Sequence, residues 1–205
     1  MATVLDATPD PGNPRGGLAD VTAYVLAGGR SLRMGSDKAF VLLEGRTLLQ
    51  RALETVRLVT PECRIVGTRE KFAAFGQVVE DVYPDRGPLG GIDAALKDTL
   101  TDLNLILAVD LPYVSHELLT YLVQEARAST ALATLPRTSD GWQPLCAVYR
   151  HGFGTLADAA LAEGRNAVHS LVEASAPRVI GDAELERAGF SVGMFRNVNE
   201  PADLV

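Results

Sequence analysis

The chain of 205 residues is poor in several features that mark whole classes of protein. It has two cysteines, Cys63 and Cys146, far apart and each in apolar surroundings. Two isolated cysteines make neither a disulfide framework nor a zinc pattern, and the expectation is a reduced, buried pair. Its three histidines, His116, His151 and His169, stand singly without ligand spacing, which predicts solvated or capping roles. No apolar run approaches the ~18–20 residues of a membrane span. The first twenty residues are rich in Asp, Pro and Gly and lack the basic start and apolar centre of a secretory signal. They read as a disordered leader (1–20), with one domain over 21–205. An excess of positive charge is also missing. The formal net charge is −7, which argues against non-specific nucleic-acid binding. There is no internal repeat, no low-complexity tract and no linker after residue 20. The expected compartment is the cytoplasm, with neither membrane nor nucleic acid as partner.

What is present is an alternation of strand-like and helix-like segments. Val21–Ala27 reads as a strand, Leu48–Val59 as a helix stopped by Pro61, Arg64–Gly67 and Val78–Val79 as short strands, and Leu89 to Leu100 as a helix. Leu103–Val109 is a near-continuous apolar run, the mark of a strand buried on both faces. Glu117–Ala128 is amphipathic, with Ser115 as its N-cap. Ala131–Leu135 and Leu145–Tyr149 read as strands around the polar tip Arg137–Gln143. Helical segments follow near Phe153–Glu163 and Val168–Ala174, and late strands at Arg178–Ile180 and Phe195–Val198. The pattern predicts an α/β, three-layer Rossmann-like fold: a mostly parallel twisted sheet with helices on both faces. In such sheets ligands bind at the carboxyl ends of strands. Gly28, Asp81 and Asp110 follow the first, third and fourth predicted strands.

The first of these loops is the most informative part of the chain. Leu26-Ala27-Gly28-Gly29-Arg30-Ser31-Leu32-Arg33-Met34-Gly35-Ser36-Asp37-Lys38 joins an apolar strand to a loop with three glycines and three basic residues. Glycines let backbone N–H groups approach phosphate oxygens, while Arg33 and Lys38 supply counter-charge against the global negative field. The spacing is neither that of the P-loop nor that of the dinucleotide G-x-G-x-x-G. Asp110-Leu111-Pro112 closes the buried strand. A carboxylate there suits Mg²⁺ riding on substrate phosphates, or equally the N-cap of the next helix. Glu80-Asp81 precedes Gly87-Pro88-Leu89-Gly90-Gly91-Ile92, a second close-approach turn; Asp85 is a rival acid nearer the Gly-Pro. Asn197 and Asn199, at i and i+2, would reach a metal shell or acceptor or else hold the C-terminus in place, and Arg165-Asn166 offers a late basic group to an acceptor phosphate.

The pattern L-A-G-G-x-S-x-R-M-G-x-D-K resembles the signature of sugar-nucleotide-type nucleotidyltransferases, and in this full form that of the molybdenum-cofactor guanylyltransferase family. Gly87-Pro88-Leu89, Gln143-Pro144-Leu145 and the tail Phe195-x-Asn197-x-Asn199-x-Pro201-x-Asp203-Leu204 also resemble family segments, in the family's order. The resemblance implies an Mg²⁺-dependent transfer of GMP from GTP to the phosphate of molybdenum-bound molybdopterin, with release of pyrophosphate. It implies Arg33, Lys38 and Asp110 as catalytic residues and Asp110 as the metal ligand. Leu26, Ala27, Gly28, Gly29, Lys38, Asp81 and Asp110 would bind the nucleotide, with Asp81 contacting the nucleoside. Partners would be GTP, molybdopterin, and transiently the proteins that deliver or receive the cofactor. One departure bears on the base: some family members place Asn at the end of the second strand, where this chain has Gly67. A cytidylyltransferase on the same scaffold is the enzymatic alternative, and a nucleotide-binding regulatory subunit the non-enzymatic one.

Overall fold

The computed structural model describes residues 20–28, 37–80 and 86–198. Residues 1–19 of the expected leader, Gly29, Arg33, Asp81, Asp85 and Asn199 therefore lie outside the described residues. Ten strands and seven α-helices follow in chain order among those that are described: β1 (Val21–Leu26), β2 (Leu42–Leu43), β3 (Arg46–Thr47), α1 (Leu48–Arg57), β4 (Cys63–Val66), α2 (Arg69–Phe72), β5 (Val78–Val79), α3 (Pro88–Asp98), β6 (Leu103–Ala108), α4 (His116–Arg127), β7 (Ala133–Thr138), β8 (Gly141–Trp142), β9 (Cys146–Arg150), α5 (Phe153–Ala162), α6 (Val168–Ala174), β10 (Arg178–Gly181) and α7 (Asp182–Arg187).

The main sheet runs β10-β7-β9-β6-β1-β4-β5, with β8 paired to β7. β6, β1, β4 and β5 are mutually parallel, as are β7 and β10. β9 is antiparallel to both β6 and β7. The chain starts at β1, winds outward through β4 to β5, then returns to place β6 on the other side of β1. The order reverses between β1 and β6, and a crevice forms there at the strands' carboxyl ends.

The period-two alternation of the central strands divides the core. Val21, Ala23, Val25 and Ala27 face one cluster with Leu103, Leu105 and Leu107, covered by α1 and α4. Tyr24, Leu26 and Ile106 face the other, covered by α3, α5 and α6. Both faces of β1 and β6 are sealed, which explains why their sequences read as unbroken apolar runs. The predicted three-layer arrangement is thus present. α1 starts with a capping box in which Thr47 Oγ1 accepts from Gln50 N and Gln50 Oε1 accepts from Thr47 N.

Three expectations are corrected. Phe195–Val198 is not a strand: Val192–Phe195 forms a 3-10 turn and the chain then runs on irregularly, so Asn197 does not share a strand face with a residue two positions on. The turn is favoured because Ser191 Oγ accepts from Gly193 N, and the buried Phe195 and Val198 side chains drop into the core. The polar tip carries its own strand, β8, in a hairpin with β7. The cysteines are not a buried pair: Cys146 is buried, whereas Cys63, on β4, is half-buried, and both are free. Burial pushes the Cys63 thiol up to about 11 and the Cys146 thiol up to about 12, so neither is a ready nucleophile.

Candidate active site at the β1–β6 switch point

Parallel pairing sets the two central loops side by side. Leu26 lies opposite Ala108, and one step further Val109 N donates to Leu26 O at 3.2 Å. Asp110 thus emerges at the carboxyl edge next to the start of the glycine loop. The chain re-enters that edge at Asp37, whose Oδ1 accepts from Ala39 N at 3.2 Å and caps a short 3-10 turn, Lys38–Phe40. The cap aims Lys38 back across the crevice. Its Nζ stands 3.6 Å from Asp110 Oδ2, although the two residues are far apart in sequence.

Asp110 is held from behind as well. Leu111 N donates to Ala108 O at 3.3 Å, and the tail closes on the same residue, with Val198 N donating to Asp110 O at 2.9 Å. Asp110 does not cap the following helix. Ser115 does, its Oγ accepting from Leu118 N at 3.4 Å. The carboxyl group is thereby free of the structural role that the sequence left open. Its Oδ1 is buried without a hydrogen-bond partner among the described residues. Burial raises the Asp110 pKa above the usual carboxylate range, and the Lys38 ammonium works against that shift. A buried, ionisable oxygen with no partner among the described residues is the kind of atom to which a cation or a polar ligand edge would bind. Among the described residues no group of three or more His, Cys, Asp or Glu forms a protein-only metal cage. One carboxylate with an open oxygen fits a hard cation that takes its remaining ligands from water and phosphate.

Of the remaining candidates, Gly28 is exposed at the loop's start. The N–H groups of Ala27 and Gly28 both donate to Val66 O, at 3.0 and 3.1 Å. They tie β1 to β4, so donors for phosphate must come from elsewhere in the loop. Gly67, directly after β4, donates its N–H to Val79 O at 3.0 Å. A Cβ there would lie 2.6 Å from Phe72 Cε2, so the residue is glycine because the Phe72 ring occupies the space. Phe72 stacks on Phe40 at 5.8 Å, two residues from Lys38. Gly87 has φ +65° and ψ −157°, a conformation that favours glycine, and it turns the chain into Pro88 at the start of α3. Asn197 is exposed, and the exposed Arg165 pairs with Glu163 at 2.7 Å.

Two features escaped the sequence reading. Lys71, on α2, donates to Asp37 Oδ2 at 2.8 Å and fastens the returning end of the glycine loop. Nothing in its local sequence signals that reach of 34 residues. Tyr113 receives Arg196, whose guanidinium donates to the phenol at 2.8 Å and lies 4.8 Å from the ring centroid. This pair clasps the tail beside Asp110, and the aromatic after Asp-Leu-Pro was its only trace in the sequence.

A doubly wound sheet with a basic residue and an acid converging at its switch point, after a glycine loop, defines a nucleotidyltransferase-type site. Comparison with known proteins makes the class specific: residues 23–179 match the family model of the MobA-like NTP transferase domain, and the chain belongs to that family. A probable molybdenum cofactor guanylyltransferase of Pelotomaculum thermopropionicum is 30% identical over 190 residues, 92% of each chain. A relative with the same description in Clostridium perfringens is 34% identical over 131 residues, 63% of this chain and 65% of the relative, so that match spans just under two thirds of its length. The crystal structure of molybdopterin-guanine dinucleotide biosynthesis protein A from Archaeoglobus fulgidus superposes with a TM-score of 0.77 at 26% identity, covering 89% of this chain and 94% of the other.

Proposed function

We propose that the protein transfers GMP from GTP to the phosphate of molybdenum-bound molybdopterin, forming the guanine dinucleotide cofactor and pyrophosphate. The observation that carries this reading is the pairing of Lys38 with Asp110 at the switch point, with Asp110 Oδ1 left unpartnered. The printed names of the relatives, guanylyltransferases of the molybdenum cofactor, support the nucleotide and the acceptor.

In the proposed reaction an oxygen of the acceptor phosphate attacks the α-phosphorus of GTP in line. The new P–O bond joins GMP to the acceptor, and the bond to the β-phosphate breaks with its electron pair going to pyrophosphate. Asp110 would hold Mg²⁺ through Oδ1. The bound ion would supply charge stabilisation to the phosphate oxygens. Lys38 would have two tasks: its charge opposes the rise that burial gives the Asp110 pKa, and it would offer its ammonium to the leaving phosphates. Arg33, in the same loop, would add a second cation. Leu26, Ala27, Gly28, Gly29 and Asp81 would seat the nucleoside on the β1–β4–β5 side. Because no covalent intermediate is needed, positioning and electrostatics carry the rate. A nucleotide-binding subunit without turnover would have no use for a lysine held against a buried carboxylate at this edge. The setting would be the cytoplasm, with contacts to proteins that deliver or receive the cofactor.

The test is pyrophosphate release with GTP and with CTP in parallel, molybdopterin as acceptor. Asp110→Ala should abolish release while the circular-dichroism spectrum is retained, and Lys38→Ala should reduce it by orders of magnitude. Near-wild-type rates in both variants would overturn the assignment.

A further inference from the structure

The tail meets the turn after β6 at two points. Val198 N donates to Asp110 O at 2.9 Å, and the Arg196 guanidinium donates to the Tyr113 phenol at 2.8 Å. Tyr113 stands three residues after Asp110, so the tail spans both ends of the Asp110–Tyr113 turn. The two attachments differ in kind. Phe195 and Val198 drop their side chains into the core, whereas Arg196 is exposed and lies over the Tyr113 ring, 4.8 Å from its centroid. The ring packs against the same core cluster, so the guanidinium rests on a fixed platform.

The turn carries Asp110 past the end of the sheet ladder. Val109 N still reaches Leu26 O at 3.2 Å, but beyond it the turn closes only through longer bonds, Leu111 N to Ala108 O and Val114 N to Leu111 O, each at 3.3 Å. Pro112 has no N–H to add. The bond from Val198 N is the shorter hold on the Asp110 peptide, and it comes from outside the turn. No close hydrogen bond steers the carboxylate either: Lys38 Nζ stands 3.6 Å from Oδ2, and Oδ1 has no hydrogen-bond partner among the described residues. The backbone therefore sets where the carboxylate points. A cation over an exposed ring adds little to global stability. A displacement of about 1 Å in a catalytic group can cost on the order of a hundredfold in rate. The contact between Arg196 and Tyr113 thus matters far more for aim than for folding.

We propose that Arg196 is a positioning residue: by clasping Tyr113 it holds the tail on the turn, and through Val198 N–H and the Asp110 carbonyl it sets the direction in which Asp110 offers Oδ1 to a divalent cation. The inference rests on the proposed reaction for the cation, while the coupling of tail to turn does not.

Three substitutions separate the parts. Arg196→Met keeps the stem and removes the guanidinium, Arg196→Lys restores a cation for the ring face, and Tyr113→Phe keeps the ring and removes the phenol. Without any ligand, exchange of the Val198 amide, read by NMR, should quicken by about fivefold in Arg196→Met. The melting point should stay within about 2 °C. Mn²⁺ with the non-transferable analogue guanosine α,β-methylene-triphosphate forms a complex that water-proton relaxation reads without turnover. Its Mn²⁺ Kd should rise about fivefold in Arg196→Met and about twofold in Tyr113→Phe, with most of the first loss recovered in Arg196→Lys. The double variant Arg196→Met with Tyr113→Phe should be no weaker than Arg196→Met alone, because the two side chains act as one unit. In turnover the half-activating Mg²⁺ concentration should move in parallel, with kcat at saturating Mg²⁺ within about threefold and the GTP KM within about twofold of wild type. An unmoved Mn²⁺ Kd in Arg196→Met would overturn the inference. So would a kcat lower by orders of magnitude at saturating Mg²⁺ with Val198 exchange unmoved, since the guanidinium would then touch substrate. Mn²⁺ binding that Asp110→Ala abolishes and Arg196→Met weakens, without GMP transfer from GTP by the wild type, would keep the positioning role and remove the proposed reaction. Transfer by the wild type with equal Mn²⁺ Kd in Arg196→Met would remove the positioning role only.

Discussion

Asp110 trades stability for function. Its carboxyl group sits where burial disfavours the charge and one oxygen has no partner among the described residues. The raised pKa fixes the sign of two effects. Ligation of a cation needs the carboxylate, so kcat/KM should fall on the acid side with an apparent pKa above the ordinary carboxylate range. Asp110→Asn should remove that limb along with most activity. Folding runs the other way: a folded-state pKa above the unfolded value means that stability declines as pH rises through that interval. Asp110→Asn should therefore melt above the wild type at pH 7, with the gap closing in acid. Calorimetry across pH checks the second effect and turnover profiles the first; a wild-type melting point above that of Asp110→Asn at pH 7 would contradict the argument. Gly67 is constrained by packing. A methyl group there meets the Phe72 ring at 2.6 Å, inside a stack with Phe40. Gly67→Ala should cost about 1–3 kcal/mol in urea unfolding. It should also raise the GTP KM, because the displaced ring leans on the turn that carries Lys38.

At the scale of elements, the long apolar strands and helices were legible and the connectors were not. β1 and β6 announced themselves because both faces are sealed, and α4 because Ser115 precedes an amphipathic run. The two-residue strands β2, β3 and β8 and the single-turn α2 have too few residues for any period to register, and tertiary contacts decide them. The site divides in the same way. Lys38 and Asp110 were readable because a glycine loop and a buried strand end mark them locally. Lys71 and Arg196 act across distances that only folding creates. α2 illustrates the consequence. Its Lys71 pins Asp37 at 2.8 Å, while Phe72 packs against Phe40, so this one turn of helix anchors the returning end of the loop from two sides. An exposed ion pair of this kind is worth about 0.2–1 kcal/mol. Lys71→Met should accordingly leave the melting point almost unchanged and raise the GTP KM by up to about fivefold with kcat little altered. A kcat collapse instead would mean that Lys71 contacts substrate, and no change at all would mean that the loop end needs no anchor.

The molecule as a whole sets the Lys38–Asp110 pair at a sheet edge in a chain of net charge −7, and Asp110 divides that edge into two halves. That division also bears on the choice of base. On the β1–β4–β5 side three backbone donors among the described residues are already engaged: Ala27 and Gly28 N–H on Val66 O, and Gly67 N–H on Val79 O. A cytosine presents N3 and O2 as acceptors and needs donors there. A guanine presents N1–H and its 2-amino group and needs acceptors, which a carboxylate such as Asp81 and backbone carbonyls supply. A site whose donors are engaged leaves the cytosine edge unpaired, and unpaired polar groups in a pocket reject a ligand strongly. The expected order is GTP well ahead of CTP, by orders of magnitude in kcat/KM with molybdopterin as common acceptor. ATP should also trail, since adenine offers an acceptor at N1 where guanine offers a donor. Asp81→Ala should narrow the gap by weakening GTP more than CTP. Equal kcat/KM values for the two nucleotides, or a preference for CTP, would overturn the guanylyl assignment. The pairing of Lys38 with Asp110 and the transfer chemistry built on it would then still stand, serving a cytidylyl donor.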